Sequence, residues 1–253
     1  MGTFVLTGSG SGIGATLAQQ LRDDGHSVIG VDLKNANITA DLATAAGRQA
    51  AIDAITERAS DGIDGFVPLA GLGGNIPDGA LVCAVNYFGT VRLVEGLRPL
   101  LAKNNAPVVL LSSNSSAMDV QGDALIAAML AGDESRSAEL AVADNVAGIQ
   151  YMLSKRAVAF WMRRNCMDLA GDGIRINAIA PGVISTPMTD PLFNSMNEVM
   201  KGLIDGTPLK RTGQPEEIAR FIRFLLSEDS SFICGSMLFI DGGYDAAMRT
   251  DHV

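Results

Sequence analysis

The sequence predicts an α/β fold, with a doubly wound parallel sheet that forms a single domain over residues 1–253. Continuous apolar segments alternate along the chain with segments of helical periodicity, a pattern typical of parallel strands covered by helices on both faces. The first apolar segment, residues 3–6, leads into a glycine-rich turn and then into a helical segment. A length of 253 residues suits one large domain, and no internal repeat or linker-like segment divides it.

The remaining elements follow in an almost regular order. Further strands are predicted at 27–31, 64–69, 108–111, 174–179 and 236–240, and helices at 15–21, 43–58, 80–101, 150–169 and 216–226. Residues 117–148 interrupt this order with two short helical segments, 123–130 and 134–143, and are interpreted as a helical insertion. Residues 187–209 lack a clean period and are predicted to form a lid over the substrate.

Composition and charge argue against several classes of partner. The net charge is −9 and no basic run occurs, so nucleic acid is not expected to bind. The three cysteines and two histidines are scattered without ligand spacing, which predicts no metal site and a reducing compartment. No apolar run of membrane-spanning length and no signal peptide is recognised, so the expected location is cytoplasmic, away from membranes.

The glycine-rich turn Thr7-Gly8-Ser9-Gly10-Ser11-Gly12-Ile13-Gly14 lies between a strand and a helix. Glycines there let backbone N–H groups approach a pyrophosphate, and the helix N-terminus adds partial positive charge. Taken alone, the turn is equally compatible with a tight connection that binds nothing.

Asp32 ends the second predicted strand, near the position where a carboxylate can accept hydrogen bonds from the adenosine ribose. Its negative charge would repel a 2′-phosphate, which favours NAD over NADP. Lys34 weakens this discrimination because a nearby cation tolerates a phosphate. The alternative interpretation is a strand-end carboxylate that only caps a turn.

Tyr151 and Lys155 lie four positions apart and therefore on one face of the same predicted helix. A tyrosine can donate a proton to a developing alkoxide, although its ordinary pKa is about 10. A neighbouring ammonium together with an oxidised nicotinamide is expected to lower that pKa. Such pairs also occur by chance, but here a strand ending in Ser112-Ser113 supplies a hydroxyl that can polarise a carbonyl.

These motifs together resemble the short-chain dehydrogenase/reductase family. The matching residues span almost the whole chain in the family's order: Thr7-Gly8-x-x-x-Gly12-Ile13-Gly14, Ala70-Gly71, Asn86, Ser113, Tyr151-x-x-x-Lys155, Asn177, Pro181-Gly182, Thr186-Pro187-Met188 and Asp241-Gly242-Gly243. The resemblance implies a Rossmann-type fold and an NAD(H)-dependent reaction in which hydride moves directly between the nicotinamide and the carbinol carbon.

The resemblance also implies a role for each matching residue. Tyr151 is expected to be the general acid in ketone reduction, Ser113 to hydrogen-bond the substrate oxygen, Lys155 to bind the nicotinamide ribose, and Asn86 to hold a water for proton relay. The expected cofactor-binding residues are Gly8, Ser11, Gly12, Ile13, Asp32, Asp41, Leu42, Ala70, Gly71, Tyr151, Lys155, Pro181, Gly182, Ile184 and Thr186. The expected walls of an apolar substrate pocket are Leu72, Met118, Met188 and the 191–200 segment, with Ser113 and Tyr151 as its polar centre.

Two features depart from the common family pattern. Leu69 stands where the family usually has Asn, before Ala70-Gly71. Ser113 and Tyr151 lie 38 positions apart, much farther than usual, and the insertion at 117–148 accounts for the excess. A similar insertion characterises the subgroup of bacterial 3-alpha-hydroxysteroid dehydrogenase/carbonyl reductases, which this chain resembles also at 41–48, 70–73, 85–89 and 241–249. Since many relatives pair their long helices where the insertion lies, a homodimer through another face is expected.

The predicted function is therefore an NAD(H)-dependent oxidoreductase that interconverts a secondary alcohol and a ketone, with 3-hydroxy/3-oxo steroids as the leading substrates. One alternative is a reductase of small aryl or alkyl ketones. Another, of a different class, is a dinucleotide-sensing regulator without turnover. A sensor would need only the pyrophosphate corner, so the presence of Ser113, Tyr151, Lys155 and Asn86 argues against it.

Overall fold

A computed structural model describes residues 1–143, 148–190 and 197–251 and confirms the predicted parallel sheet. Seven parallel strands lie in the order β3-β2-β1-β4-β5-β6-β7. The strands are β1 Thr3–Thr7, β2 Ser27–Asp32, β3 Ile38–Thr39, β4 Gly65–Pro68, β5 Val108–Leu111, β6 Ile176–Pro181 and β7 Met237–Ile240. The order reverses between β1 and β4, so the carboxyl ends of these two strands open a crevice where ligands bind in folds of this kind.

Helices cover both faces of the sheet. They are α1 Gly12–Asp23, α2 Ala45–Arg58, α3 Gly79–Cys83, α4 Gly89–Lys103, α5 Asp123–Leu130, α6 Glu134–Ala143, α7 Ile149–Gly171, α8 Asn197–Gly206, α9 Pro215–Leu226 and α10 Tyr244–Met248. A π-helical turn, Ala84–Phe88, joins α3 to α4, and short 3₁₀ turns lie at Asn114–Ala117 and Glu228–Ser230. Helices α1 and α9 pack together over one face, whereas α2, α4 and α7 cover the other.

Three short elements were not predicted. Strand β3 has only two residues, too few for any periodic signal, and it pairs with β2 beside Asp32. Helix α8 lies inside the proposed lid segment, whose residues 191–196 fall outside the described part of the chain. Helix α10 follows Gly243, which has a left-handed conformation (φ 90°) that suits glycine.

The insertion is helical as predicted and packs on the body of the domain. Helix α6 contacts α3, and α5 contacts α7. Arg48 of α2 is nearly fully buried and forms a bidentate ion pair with Glu134 at the start of α6, with the nearer oxygen at 2.6 Å. Arg92 of α4 donates a hydrogen bond to the Gly132 carbonyl in the turn between α5 and α6. The insertion therefore covers the α3–α7 side of the molecule. Residues 144–147 lie outside the described part.

Within the described residues, one helical stretch is long and apolar enough to cross a membrane by length and composition alone. It is Gly79–Lys103, with a mean hydropathy of 1.3. Its most apolar window is 61% buried inside the domain, because this stretch packs between α2, α7 and the sheet. A central helix of a doubly wound fold is apolar for this reason, so the finding is weak support for a membrane contact.

Candidate active site

The glycine-rich turn has the geometry that close approach of a phosphate requires. Gly8 has φ 66°, and a Cβ there would lie 2.7 Å from the backbone nitrogen of Ala70. A Cβ on Gly14 would lie 2.0 Å from the Gly8 carbonyl oxygen. Ser11 is the N-cap of α1, yet its side chain makes no capping hydrogen bond. Free backbone donors and a free hydroxyl therefore face the crevice at the positive end of a helix.

Asp32 is held rigidly at the end of β2. Its Oδ2 accepts a hydrogen bond from the Gly10 backbone N–H at 2.9 Å, and its Oδ1 accepts one from the Leu33 N–H at 2.7 Å. These bonds fix the carboxylate beside the glycine-rich turn, and Asp32 lines the crevice. The alternative interpretation, a carboxylate that only caps a turn, describes part of what Asp32 does, but the crevice position leaves it lone pairs for a ligand.

A cleft of about 280 Å³ brings most of the predicted residues together. The predicted site residues that line it are Gly8, Ser11, Gly12, Ile13, Asp32, Asp41, Leu42, Ala70, Gly71, Leu72, Tyr151, Pro181, Gly182, Ile184, Thr186 and Met188. Ser113, Asn86 and Lys155 are buried next to lining residues rather than on the cleft surface. The glycine-rich turn and the predicted catalytic helix, α7, therefore line the same cleft.

Tyr151, Ser113 and Lys155 meet on the β5 side of the cleft, across β1 and β4 from Asp32. The Tyr151 phenol and the Ser113 hydroxyl share a hydrogen bond. The Lys155 Nζ lies 5.9 Å from the centroid of the Tyr151 ring and donates a hydrogen bond of 3.0 Å to the Leu111 carbonyl at the end of β5. The predicted convergence of these three side chains is therefore present, although 38 residues separate Ser113 from Tyr151.

Burial shifts the pKa values of both Tyr151 and Lys155. Burial raises the pKa of the Tyr151 phenol, and the hydrogen bond with Ser113 acts in the opposite direction. Burial also lowers the pKa of Lys155 to about 8. The expected lowering of the Tyr151 pKa by Lys155 is thus not produced by the groups of this chain. A buried ammonium is itself destabilised, which limits what it can do for a neighbouring phenol.

Asn86 lies in the π-helical turn between α3 and α4 and is fully buried. Its Oδ1 accepts from the Leu72 N–H at 2.8 Å, while its Nδ2 donates to the Leu72 carbonyl at 3.1 Å and to Ser154 Oγ at 3.2 Å. Thr90 donates to its main-chain carbonyl. Both Nδ2 hydrogens are donated and join the loop after β4 to α7, while Oδ1 accepts one hydrogen bond, and the expected role of Asn86 in holding a water stays a prediction.

Several residues of the cleft were not predicted: Gly14, Leu33, Ala40, Leu69, Val85, Leu111, Ser112, Pro187 and Thr189. Leu69 and Ser112 follow strand ends and Leu111 is the last residue of β5, so the strand-end rule could have found them. Leu69, the departure from the family pattern, is buried in the apolar cluster on the α1 side of the sheet. Thr189 carries no sequence signal; its Oγ1 donates to the Ile184 carbonyl and accepts from the Thr186 N–H, which shapes the loop after β6.

The predicted substrate walls do not all lie in the main cleft. Leu72 and Met188 line it, whereas Met118 lines a second cavity of about 630 Å³ together with residues 244–251. Met118 is displaced because the 3₁₀ turn Asn114–Ala117 directs the chain toward the C-terminal helix α10. Part of the remaining expected wall, residues 191–196, lies outside the described residues.

The residues of the main cleft fit a dinucleotide. A Cβ would clash with backbone at Gly8, Gly10 and Gly14, Asp32 offers carboxylate oxygens beside the turn, and Tyr151 lines the same cleft. Within the described residues, no group of three or more metal-ligating side chains is found. A nicotinamide dinucleotide would lie with its pyrophosphate on α1, its adenosine ribose near Asp32 and its nicotinamide near Tyr151.

Comparison with known proteins relates this cleft to a family. A family model described as enoyl-(acyl carrier protein) reductase matches residues 134–245. The chain is 34% identical to the 3-alpha-hydroxysteroid dehydrogenase/carbonyl reductase of Comamonas testosteroni, over 98% of both chains. It is 30% identical to the cyclohexanol dehydrogenase of Acinetobacter sp. strain SE19, covering 95% of this chain and 93% of that enzyme.

A solved structure shares the fold closely. The 3-alpha-hydroxysteroid dehydrogenase of Pseudomonas sp. B-0831, crystallised with NADH, superimposes with a TM-score of 0.94 and 40% identity, over 99% of this chain and 100% of that one. The predicted family and fold are thereby confirmed. The glycine-rich turn, the Ser113–Tyr151–Lys155 cluster and these similarities show that the chain belongs to the short-chain dehydrogenase/reductase family of oxidoreductases.

Proposed function

We propose that the protein is an NAD(H)-dependent oxidoreductase that interconverts secondary alcohols and ketones, with 3-hydroxy/3-oxo steroids as its main substrates and other carbonyls in addition. The observation that carries the proposal is the hydrogen-bonded Tyr151–Ser113 pair, with Lys155 over the Tyr151 ring, at the end of a cleft that begins at the glycine-rich turn. The similar dehydrogenase that was crystallised with NADH supports the cofactor. When bound, the dinucleotide supplies or accepts the hydride.

The side chains supply the proton and orient the reacting oxygen. In ketone reduction, the Tyr151 phenol donates its proton to the substrate oxygen while the Ser113 hydroxyl donates a hydrogen bond to the same atom. In alcohol oxidation, Tyr151 accepts the proton instead. The Tyr151 phenol carries a proton at neutral pH already at its ordinary pKa of about 10, and burial raises that pKa further. Lys155 would hold ribose hydroxyls of the dinucleotide with its ammonium group.

The fixed carboxylate of Asp32 supports NAD over NADP. Both of its oxygens already accept backbone hydrogen bonds, so it cannot turn away from a 2′-phosphate without losing them. Lys34 is exposed two residues beyond and is the only nearby cation in β2 or the turn that follows it. Asp41 and Leu42, which line the cleft, would border the adenine, and Ile184 and Thr186 would contact the carboxamide of the nicotinamide.

A panel of ketones tests the proposal. NADH oxidation is followed with 3-oxo-steroids, small aryl ketones and cyclohexanone, and kcat/KM is compared across them. We expect the steroids to have the highest kcat/KM. Higher values for small ketones would favour the second candidate function, a reductase of small carbonyls, which the similarity to a cyclohexanol dehydrogenase supports. NADH binding in a fluorescence titration without turnover of any ketone would indicate a dinucleotide sensor instead.

We also propose that the protein is a cytoplasmic homodimer that binds neither membranes nor nucleic acid. The insertion covers the α3–α7 side, so the partner would lie on another face. The edge strand β7 and its surroundings expose Phe239 and, fully, Phe232. Sedimentation should show a dimer that Phe232→Glu dissociates, whereas Met167→Glu, at an exposed position of α7, should leave it intact. A monomeric unaltered protein would refute the proposal.

A further inference from the structure

Arg156 follows Lys155 in α7 and has no part in the proposed reaction. The three hydrogen bonds of its guanidinium all go to one loop, residues 116–120. Its Nε donates to the Ser116 carbonyl at 2.8 Å, its Nη1 to the Val120 carbonyl at 3.2 Å, and its Nη2 to the Met118 carbonyl. Among the described side chains, no carboxylate lies within ion-pair distance of it. The positive charge is therefore balanced by three carbonyl dipoles that all belong to residues 116–120.

The loop that Arg156 holds begins at Ser113. Ser116 Oγ donates a hydrogen bond to the Ser113 carbonyl at 2.6 Å, so a shift of Ser116 would also shift Ser113. At the other side, Ser112 Oγ donates to the Lys155 carbonyl at 2.9 Å. Residues 112–120 are thus attached to the first turns of α7 on both sides of the Ser113 hydroxyl, and the same helix carries Tyr151.

A guanidinium suits this arrangement better than an ammonium does. Its planar fork directs N–H groups along several fixed directions, whereas an ammonium is a compact charge on a flexible chain. Converging carbonyl groups repel one another unless a donor lies between them. Without Arg156, these three carbonyls would separate, and the loop would leave the helix that carries Tyr151.

We propose that Arg156 is a positioning residue, which fixes residues 113–120 on α7 and thereby sets the distance between Ser113 Oγ and the Tyr151 phenol. The inference rests on the proposed function, because the distance matters only if both groups act on one substrate oxygen. Displacement of a reacting group by about 1 Å can cost up to about 100-fold in rate.

The test compares Arg156→Met, Arg156→Gln and Arg156→Lys with Arg163→Met, which alters an exposed arginine of the same helix. For the Met and Gln variants we expect kcat for ketone reduction to fall roughly 10- to 100-fold, with the Kd for NADH unchanged within about twofold. The kcat of Arg156→Lys should lie between that of Arg156→Met and that of the unaltered protein. Arg163→Met should match the unaltered protein.

The pH profile separates positioning from a general loss of structure. The Ser113 hydrogen bond lowers the Tyr151 pKa, so its loss should move the rise of alcohol oxidation to higher pH. Hydrogen exchange should quicken at residues 113–122 and stay unchanged at β1 and α1. If Arg156→Met fails to fold, Arg156→Gln decides the matter.

Two results would overturn the inference. One is kcat, pH profile and exchange at 113–122 equal to those of the unaltered protein. The other is a parallel loss of kcat and NADH binding with no shift in the pH profile, which would indicate a merely structural role. Failure of the proposed function is distinct, because it would appear as absent turnover in the unaltered protein, while the exchange measurement would still test the anchoring of the loop.

Discussion

The nucleotide half and the catalytic half of the cleft are constructed in different ways. In the nucleotide half, residues 7–32, the groups offered to a ligand are backbone N–H donors of one turn and a carboxylate that the same turn fixes through the Gly10 N–H. All of these groups lie within one strand–turn–helix–strand unit. Their geometry depends on local conformation and on the pairing of β1 with β2.

In the catalytic half, the groups are side chains from separate elements. Ser113 follows β5, and Tyr151 and Lys155 belong to α7, with the whole insertion between them in the chain. They meet because β5 pairs with β6, because α7 packs on β5, and because Arg156 attaches the loop after β5 to α7. The difference between the halves predicts that substitutions in residues 7–32 alter the preference between NADH and NADPH, whereas substitutions in α7 alter the rate of turnover.

The sharpest test of this division is Tyr151→Phe. Loss of the phenolic proton should reduce ketone reduction roughly 100- to 10,000-fold, the usual contribution of general acid catalysis. NADH binding, measured by fluorescence titration, should change little because the nucleotide half is untouched. Tyr244→Phe, which alters a tyrosine of the second cavity, is the matched control. Substantial residual turnover in Tyr151→Phe would remove this residue from the reaction.

Asp32→Ala tests the nucleotide half, where a substitution should change cofactor preference more than turnover. Removal of the carboxylate should reduce the preference for NADH over NADPH by about tenfold, equivalent to about 1.4 kcal/mol, with a smaller effect on kcat. The ratio of kcat/KM values for the two cofactors measures this. Asp61→Ala, at an exposed position away from the cleft, should leave the ratio as it is. An unchanged ratio in Asp32→Ala would place the adenosine ribose elsewhere.

Arg48→Met examines the contact that joins the insertion to the body of the domain. Arg48 binds Glu134 of the insertion and the carbonyls of Ala43 and of Leu42, which lines the cleft. The free energy of unfolding should fall by about 1–2 kcal/mol, less than for a fully buried pair because Glu134 is partly exposed. Urea unfolding measures it.

Arg136→Met is the control for that measurement. It breaks a solvent-exposed pair within α6 and should cost less than about 0.5 kcal/mol. Equal losses in the two variants would mean that the buried pair does not hold the insertion.

The pKa of Lys155 predicts a pH dependence of stability. Its folded value of about 8 lies below its ordinary value, so the unfolded chain binds more protons between these limits and the free energy of unfolding rises with pH there. The free energy of unfolding of the unaltered protein, relative to that of Lys155→Met, should therefore rise between pH 8 and about 10.4, the ordinary pKa of a lysine. The rise should be at most about 1.4 kcal/mol per pH unit. Parallel stability curves would show that Lys155 is not destabilised by burial.

Prediction from the sequence succeeded where the signal is local. The glycine-rich turn, Asp32 and the Tyr151–Lys155 pair all lie on the elements predicted for them, because each depends on strand ends or on helical spacing. Met118 was expected in the main cleft and lies in the second cavity, since a 3₁₀ turn redirected the chain. Lowering of the Tyr151 pKa by Lys155 together with an oxidised nicotinamide stays a prediction, because the structure contains only the chain's own groups, among which burial raises this pKa.

The sequence by itself determined the alternation of strands and helices, the dinucleotide turn and the identity of the groups able to transfer a proton. These follow from apolar periodicity, from glycine's conformational freedom and from side-chain chemistry, all of which are properties of short segments. Only the tertiary structure decided that Arg156 holds the Ser113 loop on α7, that Arg48 joins the insertion to α2, and that burial sets the Tyr151 and Lys155 pKa values. Those features depend on which distant segments pack together and exclude water, and no local pattern encodes that.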